Sequence, residues 1–159
     1  MTDNNFWQWL ADALQTNKRA VLLLVVASQG SSPGKIGAKM AVAADGSSIG
    51  TIGGGAVEQW LLQQAQTLLH TENSVPYLCL EMHHPSNIAH QSGQLCGGEQ
   101  TVLLYPFFQK NIGLVLQLAE AAQQRQPVLL ILRFSRANML HLSHDVVAEM
   151  VDVDRQLKI

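Results

Sequence analysis

Eight consecutive apolar residues, Ala20-Val-Leu-Leu-Leu-Val-Val-Ala27, constrain this chain more than any other stretch. The run is rich in β-branched residues and shows no apolar–polar alternation. It therefore reads as a central strand covered on both faces. It is far shorter than the roughly 20 residues needed to span a bilayer. A strand buried in this way needs helices packed on its sheet, and the surrounding sequence supplies them.

Before the run, Asp3, Asn4 and Asn5 offer N-caps. Phe6, Leu10, Ala13 and Leu14 then repeat at helical spacing, and Asn17-Lys18-Arg19 ends the helix with cations near its negative end. After the run, 38–43 and 48–52 flank Asp45-Gly46 and predict a hairpin. Val57, Trp60, Leu61, Ala65, Leu68 and Leu69 form one face of a helix ending near His70. Pro76 to Met82 and Gln100 to Tyr105 read as strands, the second stopped by Pro106. Ile112 to Gln124 is an amphipathic helix burying Val115, Leu118, Ala119 and Ala122, and Val128 to Phe134 reads as a second apolar strand. Met139 to Leu142 suits a further strand, and His144 to Leu157 suits helix and strand equally. The fold class expected is α/β, a mixed β-sheet with packed helices in a single domain over residues 1–159.

Composition narrows the functional classes. The net charge of −2 and a charged fraction of 14% supply no basic stripe to neutralise phosphates, which argues against nucleic acid. Two cysteines, Cys79 and Cys96, do not make a disulfide framework. The N-terminus lacks a basic signal-peptide region. A cytoplasmic protein without membrane attachment is the expectation.

Three glycine-rich turns exceed what connecting these elements requires. They are Ser31-Ser32-Pro33-Gly34-Lys35-Ile36-Gly37, Gly50-Thr51-Ile52-Gly53-Gly54-Gly55, and Cys96-Gly97-Gly98-Glu99. The stretch from Gly30 to Lys35 is one residue short of a phosphate-binding P-loop, and Ile36 stands where Ser or Thr should hold magnesium. The triple glycine does not fit the dinucleotide pattern either. Gly53, Gly54 and Gly55 open a helix, so their N–H groups suit an anion, or else serve only a tight turn. Lys35 and Lys39 flank the first turn as phosphate or carboxylate partners, or as solvated lysines. Glu58 either reaches back as a helix cap or accepts hydrogen bonds from a heterocyclic ligand.

Cys96 either sits with its sulfur left open by adjacent glycines, in a turn whose N–H groups favour the thiolate, or is a small apolar filler. Cys79, within an apolar strand, reads as core. His83, His84, His90 and Cys96 match no standard zinc spacing. His141 and His144 lack an evident third ligand.

Ser-Ser-Pro-x-x-x-Gly-Ala-x-Met at 31–40, Gly-Thr-Ile-Gly-Gly-Gly-x-x-Glu at 50–58 and Cys-Gly-Gly at 96–98 occur here in order. Together they resemble the N-terminal domain of the XdhC/CoxI family. The resemblance covers roughly residues 6–106, and 107–159 form a helix–strand extension. It implies an accessory protein, a chaperone rather than an enzyme, with no catalytic residues of its own. Such proteins hold the molybdenum cofactor (molybdopterin with its metal), assist its sulfuration by a cysteine desulfurase, and pass it to an apo molybdenum hydroxylase of the xanthine dehydrogenase type.

Carried onto this sequence, the resemblance makes Cys96 a molybdenum contact. It places Ser31, Ser32, Lys35, Lys39, Gly53, Gly54, Gly55, Glu58, Gly97 and Gly98 around the cofactor. Two departures stand out. Family members commonly carry Arg after Ser-Ser-Pro, where this chain has Gly34, and Lys35 lacks the two-pronged grip of a guanidinium. The Rossmann-like C-terminal domain typical of larger members has no room in 159 residues, so NAD-linked activity is not implied. A separate Rossmann-domain partner and a homodimer are the expected assemblies. The competing readings are a thiol-dependent sulfur transferase using Cys96 and an interaction domain whose glycines only make turns.

Overall fold

The computed structural model describes residues 3–82, 98–132 and 148–150. Helix α1 (Asp3–Asn17) leads into strand β1 (Arg19–Gln29), followed by β2 (Lys39–Ala43), β3 (Ser48–Gly50), helix α2 (Gly55–His70), β4 (Tyr77–Met82) and β5 (Glu99–Phe108). A 3-10 turn at Gln109–Asn111 opens α3 (Ile112–Gln124), and two short strands, β6 (Leu130–Leu132) and β7 (Ala148–Met150), come after it.

The apolar run forms the middle of the sheet. Five strands lie in the order β3-β2-β1-β5-β4, and β6 pairs with β7 in a separate ribbon. Residues 20–25 of β1 are all buried, because their alternate side chains enter two different cores. Ala20, Leu22 and Leu24 pack with Phe6, Leu10 and Leu14 of α1, and α3 joins them through Val115 and Leu118. Val21, Leu23 and Val25 pack with Val57, Leu61 and Leu69 of α2. The domain is thus a three-layer α/β structure, with α1 and α3 on one face of the sheet and α2 on the other.

Every pairing among the described strands is antiparallel. The parallel pairs that a mixed sheet would contain are not among them. Both neighbours of β1 run against it, because the 30–38 turn folds the chain straight back into β2 and β5 enters from the opposite end. The hairpin between β2 and β3 forms at Asp45-Gly46, where the Asp45 carboxylate accepts from the Ser47 amide at 2.9 Å and the Ser47 hydroxyl at 2.6 Å.

Two strand expectations need correction. β5 does not stop at Pro106 but runs through it to Phe108, with Pro106 opposite Val21. The register of β4 extends only to Leu104. Pro106 therefore lies where β5 has a strand on one side only, and there a missing N–H is tolerated. The second apolar strand also begins two residues later than Val128, at Leu130. Val128 and Leu129 are exposed and precede it, and Ile131 points outward between buried Leu130 and Leu132. In α3, Ala121 rather than Ala122 completes the fully buried set. The stretch expected at Met139 to Leu142 lies outside the described residues, as does most of His144 to Leu157.

A β-bulge reverses the facing of β1 near its end. The register steps from Val25 opposite Val102 to Ala27 opposite Thr101, leaving Val26 as the extra residue. Odd-numbered residues of β1 face α2 before the bulge and the opposite side after it.

Candidate functional site

The 30–38 and 51–55 turns and the start of β5 meet at one end of the sheet. The contacts are backbone to backbone, and they explain why glycine is needed. A side chain at Gly98 would drive its Cβ to 2.5 Å from the Ser31 carbonyl carbon and 2.7 Å from the Gln29 carbonyl oxygen. Gly53, at φ +129, would set a Cβ 2.8 Å from the Gly34 nitrogen and 2.8 Å from the Pro33 carbonyl carbon. Gly34 is itself closed in by the Ile52 carbonyl and the Gln100 side chain. The Ser31–Gly34 backbone is therefore closely approached by Gly98 at Ser31 and Ser32 and by Gly53 at Pro33 and Gly34. Real Cβ atoms do not approach backbone this closely, so each of these positions excludes a larger residue.

The hydrogen bonds of Glu58 decide between a helix cap and a ligand contact. Its Oε2 accepts from the Thr51 hydroxyl at 2.6 Å, the Ile52 amide at 2.9 Å and the Gly54 amide at 3.0 Å. The Gly53 amide in turn donates to Thr51 Oγ1 at 3.2 Å. The carboxylate, near the positive end of α2, is thus the acceptor that shapes the triple-glycine turn. The amides of Ile52, Gly53 and Gly54 are already engaged within the chain, and a phosphate would have to displace a side chain to reach them. Gly55, the first residue of α2, is exposed.

Gln100 was not marked by the sequence, and it is central. Its side chain is 2% exposed. Its Oε1 accepts from the Gly34 amide at 3.1 Å, and Ser32 Oγ lies 3.2 Å away. Ser32 Oγ is also 3.2 Å from the Gly34 carbonyl oxygen, so its single proton serves one of two acceptors. β5 begins Glu99-Gln100-Thr101, three polar residues in a row. The inward phase of position 100 follows only from the buried residues two and four places on, Val102 and Leu104.

The other expected site residues divide. Ser31 and Lys35 are exposed on the turn that joins β1 to β2. Lys39 lies beside the 51–55 turn through its carbonyl, which accepts from the Thr51 amide at 3.1 Å, and its Nζ stands 5.6 Å from the centroid of the Phe6 ring on α1. Cys96 and Gly97 lie outside the described residues, as do His83, His84, His90, His141 and His144. Among the described residues no group of three or more His, Cys, Asp or Glu side chains is placed to hold a metal ion. No helix of the described residues is long and apolar enough to cross a membrane.

The same residues carry a sequence relationship. The profile of the XdhC and CoxI family matches residues 13–79. That segment contains the 31–40 and 50–58 stretches and ends before Cys96. No curated protein gives a significant match. Among solved structures, the fold matches the crystal structure of a protein named as a xanthine dehydrogenase from Bacillus halodurans, with a TM-score of 0.69 and 23% sequence identity. The match covers 87% of this chain and 40% of that one, so this chain spans less than half of the length of that protein. At that identity the likeness establishes the shared fold. The similarity to the XdhC and CoxI family is accordingly one over residues 13–79.

Proposed function

We propose that this chain is an accessory protein of a molybdenum hydroxylase of the xanthine dehydrogenase type, and that it holds the molybdenum cofactor at the end of the sheet where the glycine-rich turns meet. The observation that carries this reading is the packing of the Ser31–Gly34 backbone against Gly53 and Gly98. Two sequence-distant turns are fixed against a third, and two of the three lie in the family-matched segment, which is more construction than two connections need. The family match and the fold likeness support the accessory role.

The residues fit the cofactor in part. Lys35 and Ser31, both exposed on the central turn, offer a cation and a hydroxyl to a phosphate. Glu58 shapes the triple-glycine turn rather than gripping the ligand, because its Oε2 already takes three donors. Cys96, two residues before Gly98 in the sequence, is the proposed thiolate contact to molybdenum. Bound cofactor would supply the redox-active metal to the recipient enzyme, while this chain's groups bind and shield it. Receipt of sulfur from a cysteine desulfurase, transfer to the apo-hydroxylase, homodimer formation and a cytoplasmic setting complete the proposal.

The test is anaerobic purification from cells replete in the cofactor, followed by oxidation and pterin fluorescence. The expected outcome is stoichiometric pterin in the wild type, with a loss in Cys96→Ser at unchanged thermal midpoint. Absence of pterin from the wild-type protein under these conditions would sink the reading.

A further inference from the structure

Beyond the bulge, where Ala27 pairs with Thr101 and Gln29 with Glu99, the sheet borders a cavity of about 320 Å3. Its lining is Ala27, Ser28, Gln29, Ile36, Glu99 and Thr101. Residues opposite one another in an antiparallel pair share a face, and alternate residues repeat it. Glu99 and Thr101 therefore lie on the same side as Leu103, which is buried against α1 and α3. Gln100 points to the other side, toward Gly34. The cavity and the Glu58 turn consequently belong to opposite faces of the same sheet end.

The chemistry of the lining is specific. Ile36, at the tip of the 30–38 turn, is 50% exposed and provides an apolar wall. Glu99 provides a carboxylate with no hydrogen bond or ion pair among the described residues. Gln29 adds an amide and Thr101 a hydroxyl on the same face. The volume falls at the lower end of the roughly 300–1,000 Å3 seen for small-molecule pockets. A carboxylate accepts two parallel N–H bonds from a planar group that presents two adjacent donors. An aliphatic wall suits the face of such a planar group.

We propose that this cavity binds the 2-amino-4-oxopyrimidine edge of a bicyclic heterocycle. In this arrangement Glu99 accepts from the ring N–H and the exocyclic amine, Gln29 meets the neighbouring carbonyl, and Ile36 covers the ring face. Pterin and guanine share this edge. The choice of pterin rests on the function proposed above, whereas the recognition by Glu99 does not. It also assigns the ligand-facing role to a different carboxylate from the one the sequence suggested, since Glu58 is committed to its own turn.

The experiment is a titration of the full chain with 6-hydroxymethylpterin, with the matching lumazine, which has oxygen in place of the exocyclic amine, and with guanosine monophosphate. Wild-type protein should bind the pterin at least about tenfold more tightly than the lumazine, a comparison that needs no variant. Glu99→Gln should weaken the pterin by at least about tenfold without moving the thermal midpoint, because it places an amide against the two donors. Guanosine monophosphate binding that is lost in Glu99→Gln, without pterin binding, supports the cavity and counts against the cofactor reading. Binding of neither ligand by the wild type, or binding indifferent to Glu99→Gln and to the lumazine exchange, overturns the proposal. Retention of molybdenum cofactor is read separately, so the two readings fail independently.

Discussion

The side-chain oxygen of Gln100 lies 3.1 Å from the amide nitrogen of Gly34, joining positions 66 residues apart. The bond is buried, and it ties the turn after β1 to the strand that leaves Gly98. Gln100→Leu keeps the approximate volume and removes the acceptor. It should cost about 1–3 kcal/mol, the range for leaving a buried amide without a partner. Denaturant unfolding measures this. Amide exchange in a peptide spanning 30–38 should accelerate more than exchange in β1; equal protection in variant and wild type would show that the bond does not hold the turn.

Glu58→Ala removes the acceptor for three donors in the triple-glycine turn. A loss of about 1–3 kcal/mol is expected, larger than for a simple exposed helix cap because the Ile52 amide is partly buried. Thr51→Val leaves the two amide bonds to Glu58 in place and should cost less. The order of the two unfolding midpoints checks the assignment.

Gly98→Ala and Gly54→Ala separate two uses of glycine. At Gly98 a Cβ meets backbone atoms that cannot move aside, and a cost at or above the roughly 1–3 kcal/mol of overpacking is expected. At Gly54 the space is open, but φ +75 with ψ −170 is a conformation essentially restricted to glycine, so the cost is backbone strain alone, about 1–3 kcal/mol. Thermal melts of both variants give the comparison; a Gly98→Ala protein as stable as wild type would contradict the close approach.

The Asp45 carboxyl is held below its ordinary value of 3.8, first by the Ser47 hydroxyl and then by the Ser47 amide. A lowered folded-state value means that its contribution to stability is present above the unfolded value and is lost as pH falls through the folded one. Asp45→Asn should therefore flatten the acid limb of the stability curve below the ordinary carboxylate range, with little change in slope near neutrality. Urea midpoints across pH 2–5, roughly the window that this titration spans, report it.

The layers and most elements were legible in the sequence because they rest on local patterns. Ala20–Ala27 had no alternation, and the structure buries 20–25 on two faces. The α3 pattern matched Ile112–Gln124 from end to end. What was hidden depended on partners far away in the chain. Pro106 is acceptable within β5 only because β4 pairs no further than Leu104. Glu58 read equally well as cap or ligand contact until Thr51 and Gly54 were seen at its Oε2. Gln100 gave no local indication because the polar residues beside it mask the phase of the strand. The bulge at Val26, which turns Gln29 toward Glu99, likewise needs the register of β5 to be seen.

The crowding around Gly34 has an evolutionary consequence. A residue with a side chain there would collide with both the Ile52 carbonyl and the Gln100 amide group. Positions 34 and 100 should thus be inherited as a pair. A descendant that acquired arginine after Ser-Ser-Pro would need a smaller residue at 100 and a displaced turn at 52 before the change could be tolerated, so a single-step exchange is closed to this lineage.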